Sequence, residues 1–385
     1  MNILYDHQIF SLQDVWGISR YYTNLINWLK KDHHIRLPIW ISNNVFLEEF
    51  AGDIWVKVKS FWPKSHWRGK NNLIYWCNKY KTLKKSNLDK MLDGVDIVHL
   101  TMFDPYLINV LNQKNIPFVF TVYDTNHKTQ SKKYIWLCDY RNGGIEKLSK
   151  YASKIVTVSN STRDLCLKYY PNIDEDKFKT IHHGINLLEV NNKLNTQSER
   201  IIWSNYILYV WDRKSEHKNF INFVKQISAI LSEDLTLICL GSEFTEEEVI
   251  IFKWLDISNY IKQVSWHDNI KYNLYKYAYC FVYPSVAEWF GIPILEARAS
   301  WCPVICTDID IFEEVGWDSV LYVDSQTLSD IADKIWLFSQ DEIRKKLVSK
   351  WYQRVEIFDE KYEIWQTLEL YKQVIDEHKG NIKKS

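Results

Sequence analysis

Glycine is scarce in this chain of 385 residues. The sequence holds 11 glycines, whereas average usage of about 7% would give roughly 27. Tryptophan, in contrast, occurs 18 times. A G-x-G-x-x-G loop is also missing, so the chain lacks the simplest nucleotide-binding fingerprint. Any nucleotide site has to be recognised from other residues.

Three further absences narrow the class of protein. Lys and Arg (48) balance Asp and Glu (48), so no overall field attracts the chain to nucleic acid. The seven cysteines contain no C-x-x-C pair, which predicts reduced thiols in a cytoplasmic protein. The N-terminus shows no signal-peptide pattern and no apolar run is long enough for a bilayer. We therefore expect neither a leader nor a transmembrane helix.

The segment from Tyr279 to Ala299 carries the strongest signal in the sequence. An apolar run ends at Tyr283, Gly291 and the proline two residues later shape a turn, and good helix formers follow. This pattern predicts a strand, a loop and a helix. Glu288 then lies in the loop and Glu296 in the first helical turns.

A loop between a buried strand and a helix is a typical place for a ligand. In an open α/β sheet the crevice beyond the carboxyl ends of the strands binds ligands, and a helix N-terminus there attracts anions. A pair of carboxylates also fits a glycosidase, but on one helix Glu288 and Glu296 would lie about 12 Å apart, beyond the roughly 5–9.5 Å that hydrolysis needs. The alternative is a solvated loop glutamate and a glutamate on the helix surface.

The stretch PSVAEWFGIPILEARASWCPVI resembles the E-x7-E signature of glycosyltransferase family 4, retaining enzymes with two Rossmann-like domains, the GT-B fold. The resemblance implies that Glu296 holds the ribose hydroxyls of a nucleotide. It also implies that Glu288, with the backbone amides of Phe290, Gly291 and Ile292, faces the donor sugar and its phosphates. A carboxylate suits a ribose because it can accept hydrogen bonds from both hydroxyls of a diol.

Two other loops resemble phosphate-binding segments of that family. The opening ILYDHQIFSLQDVWGISRYYTNLINWL is similar to the family's first strand, loop and helix, which places Gly17 beside the donor diphosphate. The segment Trp211–Phe220 resembles the family's G-x-R-x-x-K-N loop, in which Arg213 and Lys218 would clamp the diphosphate. Fixed cations stabilise a departing diphosphate most strongly in the transition state. The alternative for the second loop is a solvated charged surface.

The segment Tyr123-Asp124-Thr125-Asn126-His127 resembles the family's T-V-H-D-x-x-H motif, whose first histidine faces the reacting sugar. Here that place is held by Tyr123, which is a poor base near neutral pH. Asp124 and His127 are therefore the candidates to share its role. The alternative for His127 is a loop histidine bonded to backbone.

Residues 57–90 form a basic and aromatic segment. They contain ten Lys or Arg residues against the single acid Asp89, with four Phe or Trp residues among them. Such a segment could grip nucleic acid, a membrane surface or an anionic acceptor. We predict an anionic membrane or a lipid-linked acceptor, with a solvated helical face as the alternative.

Several tryptophans stand where the family has glycine. The places are Trp16, Trp211, Trp289, Trp301 and Trp317, with Trp266 as a sixth. Glycine is needed where the backbone has positive φ or where a ligand approaches the main chain closely. A tryptophan side chain at such a position strains the backbone or blocks the ligand. We hypothesise that these tryptophans are UGA codons that the source organism reads as glycine. The Lys-, Asn- and Ile-rich composition of an AT-rich genome is compatible with this.

The length predicts two domains, and the resemblance implies an α/β GT-B protein with two Rossmann-like parallel sheets facing across a cleft. The domains are an acceptor domain at 1–190, a donor-nucleotide domain at 200–360 and a returning helix at 361–385, with the polar run 191–200 as linker or surface excursion.

The predicted function is transfer of a hexose, mannose first, from a nucleotide diphosphate sugar to a glycan or lipid-linked hydroxyl. The resemblance implies GDP-mannose as the first candidate donor. No D-x-D motif marks a metal site and no cofactor is expected. The predicted location is cytoplasmic, with a peripheral position at the inner membrane face. The alternatives are a non-catalytic nucleotide-sugar-binding module and a sugar-nucleotide epimerase on the same fold.

Overall fold

The computed structural model describes residues 1–14, 17–50, 58–61, 67, 69–124, 135–196, 199–265, 268–352 and 354–383. The chain divides into two compact units. The first comprises Met1–Val158, Thr162–Ile181 and Ile364–Ser385, and the second comprises Ser159–Ser161 and His182–Glu363. Both alternate strands with helices, the arrangement of a parallel sheet covered by helices.

The first unit is built on six strands. They are β1 (Asn2–Tyr5), β2 (His34–Arg36), β3 (Ile97–Leu100), β4 (Phe118–Val122), β5 (Lys154–Thr157) and β6 (Phe178–Thr180). All pairings are parallel, in the order β2-β1-β3-β4-β5-β6. The helices are α1 (Gln8–Leu12), α2 (Gly17–Leu29), α3 (Val45–Phe50), α4 (Lys70–Leu83), α5 (Lys85–Leu92), α6 (Ile108–Gln113), α7 (Ile135–Tyr151) and α8 (Asn160–Tyr169).

The second unit repeats this plan. Its strands are β7 (Asn205–Val210), β8 (Leu235–Leu240), β9 (Ile261–Val264), β10 (Cys280–Tyr283), β11 (Val304–Thr307) and β12 (Leu321–Val323). They pair in parallel in the order β12-β11-β10-β7-β8-β9. The helices are α9 (Leu187–Thr196), α10 (Phe220–Ile227), α11 (Glu246–Trp254), α12 (Asp268–Tyr277), α13 (Ile292–Ala299), α14 (Asp310–Gly316), α15 (Ile331–Leu337) and α16 (Asp341–Tyr352), followed by the chain's last helix, α17 (Glu360–Ile382).

The inner strands are largely apolar because helices cover both faces of each sheet. Every residue of β4, β8 and β10 is buried. Helix α10 packs on the second sheet through one stripe of side chains spaced i, i+3, i+4 and i+7. These side chains are Phe220, Phe223, Val224 and Ile227. Burying each one contributes about 1.5–3 kcal/mol, so the apolar pattern defines the fold of each unit. The predicted pair of parallel Rossmann-like sheets is confirmed.

The C-terminal helix belongs to the first unit from Ile364 onward. Tyr371 on α17 is fully buried, and its hydroxyl lies 2.5 Å from Nδ1 of His99 and 2.9 Å from the hydroxyl of Tyr5. Because these two partners stand on the neighbouring strands β3 and β1, the hydrogen bonds attach the end of the chain to the first sheet.

The segment predicted as a linker is helical over most of its length. Residues 191–196 continue α9, in which Val190 and Leu194 are buried at a spacing of four residues. The ammonium of Lys276 on α12 donates to the carbonyl of Leu194 at 3.3 Å. The sequence predicted a linker or a surface excursion here and did not indicate the helix, in which Leu194 together with Val190 is enough to hold a short helix against a neighbour.

The sequence predicts that the chain has no transmembrane helix and that its cysteine thiols are reduced. Across the described ranges, no helix is both long enough and apolar enough to cross a bilayer. Six cysteines have free thiols there, and all but Cys77 are buried. Burial raises the pKa of Cys166 and Cys302 to about 12, so these thiols stay protonated.

Candidate active site

The second sheet has a switch point between β7 and β10. The chain starts at β7 in the middle, builds β8 and β9 on one side, and returns to add β10 on the other. The loops that leave β7 and β10 therefore diverge, which opens a crevice at the carboxyl ends of these strands. The backbone N–H of Val286 donates to the carbonyl of His217 at 2.8 Å and joins the two loops. Predicted site residues lie on both loops.

Lys218 and Glu288 form a largely buried ion pair across this switch point. Lys218 Nζ lies 2.5 Å from Glu288 Oε1, and the side chains are 14% and 3% exposed. The same ammonium donates to the hydroxyl of Tyr283 at 3.4 Å. Burial, with the charge of Glu288, raises the pKa of Tyr283 well above its usual value, so the phenol remains neutral. A buried pair of this kind is costly to break, because either charge alone would stay desolvated.

Glu296 forms a second buried pair in the same unit. It stands on α13, and its Oε1 accepts a hydrogen bond of 2.6 Å from Nζ of Lys271 on α12. The two side chains are 7% and 2% exposed. Within the described part of the chain, Oε2 of Glu296 makes no hydrogen bond of normal geometry. Tyr275 lies close by, and burial together with the charge of Glu296 raises the pKa of Tyr275 well above its usual value. The buried Oε2 of Glu296 is available to accept from a ligand hydroxyl.

Arg213 is fixed by three hydrogen bonds. Its Nε donates to Oε1 of Glu248 at 2.9 Å, and one terminal nitrogen donates to the carbonyls of Ser242 and Glu243 at 2.6 and 2.9 Å. Glu248 is itself held by a capping box with Thr245 at the start of α11. The other terminal nitrogen is buried and makes no hydrogen bond to a described residue. Arg213 can therefore offer the two N–H groups of one terminal nitrogen, not a fork made by two nitrogens.

The turn before α13 requires glycine. Gly291 has φ 101°, and a side chain there would approach Cε1 of Phe312 to 3.1 Å. The turn lets α13 begin at Ile292 with Pro293 in its first turn, so backbone N–H groups at this end have no partner within the helix. Phe290 is buried, with its ring 5.4 Å from that of His183. The predicted strand, loop and helix are confirmed, with the helix starting two residues earlier than predicted.

The other residues predicted to bind the donor or to act in catalysis belong to the first unit. Gly17 begins α2, and Asp124 follows β4 in a half-buried position. Tyr123 is 2% exposed, and burial raises its pKa well above the usual value, so it cannot act as a base near neutral pH. His127, Trp16 and Trp266 lie outside the described residues. Among the predicted site residues that the structure describes, Lys218 and Glu288 are in direct contact.

A buried polar cluster follows β1, and the sequence patterns did not indicate it. Asp6 Oδ1 accepts from the backbone N–H of Thr101 at 2.9 Å, and Oε1 of Gln8 accepts from that of Asp104 at 2.9 Å. Burial raises the pKa of Asp6 to about 6 and lowers that of His7 to about 3. These residues are far apart in the chain, so their grouping follows only from the pairing of β1 with β3.

Lys271, Tyr283 and Glu248 were also missed. The T-x-x-E pattern ending at Glu248, directly before an apolar run, is a capping-box signal that the sequence does offer. No comparable signal marks Lys271. No cluster of three or more His, Cys, Asp or Glu side chains suited to a metal occurs in the ranges that the structure describes.

Solved structures share this architecture along nearly the whole chain. A glycosyltransferase from Rickettsia africae ESF-5 has a TM-score of 0.70 at 21% identity, over 97% of this chain and 98% of that one. HepE of Anabaena, solved in complex with UDP and glucose, has a TM-score of 0.73 at 14% identity, over 97% and 100%. The fold is therefore that of the GT-B glycosyltransferases.

Matches to family models and to a related protein identify the family as well as the fold. Residues 15–188 match the model described as Glycosyltransferase Family 4, and residues 204–341 match Glycosyl transferases group 1. The chain belongs to glycosyltransferase family 4. The O-antigen chain mannosyltransferase RfbU of Salmonella typhimurium is 33% identical over 178 residues, which cover 45% of this chain and 47% of RfbU. This chain thus matches about half the length of that relative.

Proposed function

We propose that the protein transfers a hexose, with retention of anomeric configuration, from a nucleotide diphosphate sugar to a hydroxyl of a glycan or lipid-linked acceptor. The observation that carries the proposal is the largely buried pair Lys218–Glu288 at the switch point of the second sheet. The name of RfbU supports mannose as the sugar and GDP-mannose as the first donor to test.

Each predicted site residue of the second unit has a role in this proposal. Oε2 of Glu296 accepts from the ribose hydroxyls, and the amides at residues 290–292 bind the phosphates at the start of α13. The ammonium of Lys218 and the free terminal nitrogen of Arg213 neutralise the diphosphate. Glu288 faces the sugar and also fixes the position of Lys218. No cofactor or metal enters the proposal.

The proposed reaction needs no protein base. The bond between the anomeric carbon and the phosphate oxygen breaks while the acceptor oxygen forms a bond to the same carbon on the same face. The acceptor proton passes to the departing phosphate oxygen, and a nucleoside diphosphate leaves. Negative charge grows on the phosphate during this step, so Lys218 stabilises the transition state more than the ground state. The buried, neutral Tyr123 is compatible with this route.

A non-catalytic nucleotide-sugar-binding module is the second candidate, because Tyr123 stands where the family motif has histidine. A panel of GDP-mannose, UDP-glucose, UDP-galactose and UDP-N-acetylglucosamine separates the candidates. We expect one donor to raise Tm and to be hydrolysed slowly without acceptor, with the released or transferred sugar keeping its configuration. Binding without turnover would favour the module, and inversion would refute the retaining reaction. Epimerised donor would instead support the epimerase alternative.

We also propose that α4 contacts an anionic membrane. Leu73, Trp76, Tyr80 and Leu83 are 43%, 59%, 69% and 41% exposed and share one face at spacings of 3, 4 and 3 residues. The ammonium of Lys84 lies 5.1 Å from the ring centroid of Tyr80. Aromatic and apolar side chains beside cations are typical of helices that lie in a membrane interface.

The structure reduces the number of cations that can take part. Within the basic segment, Lys70 is buried beside Asp14 at 3.6 Å, and Lys79 pairs with Asp104. Lys84, Lys85 and Lys90 are exposed. Each exposed cation adds about 1 kcal/mol of attraction near an anionic surface. The basic residues 57, 64 and 68 of the segment lie outside the described residues.

A further inference from the structure

Three tryptophans adopt a backbone conformation that favours glycine. Among the described residues, seven other than glycine have positive φ, and three of these are Trp211 (91°), Trp301 (58°) and Trp317 (48°). The remaining four are Asn115, Asn219, Asp256 and Leu328. Asn and Asp tolerate this region because their short polar side chains bond locally, whereas a bulky residue there is an outlier. Tryptophan is therefore greatly over-represented in the conformation that suits it least.

Trp301 occupies the glycine position of a helix C-terminus. The N–H of Cys302 donates to the carbonyl of Ala297 at 2.9 Å, and the N–H of Trp301 donates to that of Arg298 at 3.0 Å. This pair of hydrogen bonds defines a Schellman motif that ends α13, with residue 301 at the left-handed position where glycine is usual. The motif requires only the left-handed backbone conformation at residue 301, and the tryptophan side chain makes none of its hydrogen bonds.

Trp317 and Trp211 hold similar positions. Trp317 ends α14 with φ 48° and ψ −137°, close to the first central position of a type II′ turn, which is a glycine position. Trp211 directly follows β7, and its N–H donates to the carbonyl of Leu240 at 3.1 Å, so the strand pairing continues into it. Trp211, Trp301 and Trp317 are 41%, 40% and 43% exposed, so the core of the second unit does not require these indoles.

We infer that the natural protein carries glycine at 211, 301 and 317, encoded by UGA codons that its source reads as glycine. The low glycine count of 11 beside 18 tryptophans points the same way. Trp289 is not among the residues with positive φ, so its backbone lends no support, and the inference is restricted to these three positions. It concerns the identity of three residues and does not depend on the proposed function.

The gene provides the first test, and Trp351 is its internal control. Trp351 is 1% exposed, its ring stacks with that of Phe358 at 6.0 Å, and the guanidinium of Arg298 lies 4.0 Å from its centroid. This side chain fills the core of the second unit, so we expect UGG at codon 351 and UGA at codons 211, 301 and 317. UGG at the latter three would overturn the inference.

Stability gives a second test that requires no donor. We expect Trp211→Gly, Trp301→Gly and Trp317→Gly each to raise Tm, by about 2–4 °C for units of this size, because strain at positive φ is removed. The matched controls are Trp336→Gly and Trp365→Gly, exposed positions inside helices, where glycine should lower Tm.

The two explanations predict opposite signs. Genuine tryptophans would lose real contacts on substitution, since the indole N–H of Trp301 bonds the hydroxyl of Tyr352 and the guanidinium of Arg354 lies 4.9 Å from the ring centroid of Trp317. A fall in Tm for all three variants, as in the helical controls, would refute the inference. Because the readout is unfolding and not donor binding, its failure is distinct from failure of the proposed transferase activity.

Discussion

The ammonium of Lys218 lies 2.5 Å from Oε1 of Glu288, although 70 residues separate them in the chain. The two residues come from the loops after β7 and β10, which meet only because the strand order of the second sheet reverses there. Both side chains are nearly excluded from water. A cation and a carboxylate held in such a crevice favour binding of a charged ligand. Substitution of either residue should therefore change donor affinity or turnover.

Lys218→Ala is expected to weaken donor binding roughly 10- to 100-fold, because a charge-assisted contact contributes about 1.5–3 kcal/mol. Lys214→Ala, in the same loop but exposed, is the matched control. Glu288→Gln should mainly lower turnover, with less change in affinity. Calorimetric titration with the donor found in the panel measures the first effect. Equal affinities for wild type and Lys218→Ala would remove Lys218 from the donor site.

Glu296 and Lys271 allow stability and binding to be separated. Lys271→Met leaves the carboxylate of Glu296 buried and uncompensated, so it should cost about 3–5 kcal/mol of stability. The double variant Lys271→Met with Glu296→Gln should recover most of that stability. Its donor affinity should stay low, because a neutral amide is a weaker acceptor for ribose hydroxyls.

Urea unfolding and nucleotide titration of the single and double variants provide the check. Stability and affinity that return together in the double variant would mean that Glu296 has only a structural role. Glu296→Ala belongs in the same series and should weaken nucleotide binding by a similar factor as Lys218→Ala.

The fold was largely predictable because its signal is local. Runs such as Tyr206–Val210 and Leu235–Leu240 are almost entirely apolar, as is typical of buried parallel strands. The helix at Leu187–Thr196 was not predicted, because only Val190 and Leu194 are buried and packing on α12 stabilises it. Tertiary contacts decide such short helices, and propensity alone does not.

Residues of the candidate site were predictable only where they belong to a recognisable sequence motif. Glu288, Glu296, Arg213 and Lys218 were identified through a family resemblance in two loops. Lys271 was not, since nothing in the sequence shows that α12 places its ammonium 2.6 Å from Glu296. No sequence pattern predicted that Arg213 bonds to Glu248 and keeps only one terminal nitrogen free.

Stability should fall in acid partly through His99. Burial lowers its pKa to about 3, while Tyr371, Thr121 and Tyr22 supply hydrogen bonds to the neutral ring. Below pH 6.5 the unfolded chain binds a proton at this residue that the folded protein does not bind. Its contribution to stability is therefore lost as the pH falls, by about 2 kcal/mol between pH 6.5 and pH 5.

His99→Gln keeps a hydrogen-bonding side chain but removes the titration. Its unfolding free energy should therefore fall less steeply than that of wild type between pH 7 and pH 5. Two neighbours also titrate in acid: His7, with its pKa lowered to about 3, acts in the same direction, and Asp6, raised to about 6, acts in the opposite one. Parallel pH profiles for wild type and His99→Gln would contradict the role given to His99.

The exposed face of α4 should bind anionic vesicles. Flotation with phosphatidylglycerol vesicles and with neutral phosphatidylcholine vesicles measures the preference, and added salt should weaken it because exposed charges are screened. Trp76→Ala with Tyr80→Ala should reduce binding on anionic vesicles, since both side chains are more than half exposed and free to enter the interface.

The control for this experiment is Trp254→Ala. Trp254 is 77% exposed at the end of α11 in the second unit, so it is an exposed tryptophan outside the basic segment 57–90. We expect this variant to float like wild type. Equal binding to anionic and neutral vesicles, or none to either, would mean that the lysines after α4 form a solvated surface with no role in membrane binding. The apolar stripe would then need a protein or glycan partner instead of a membrane.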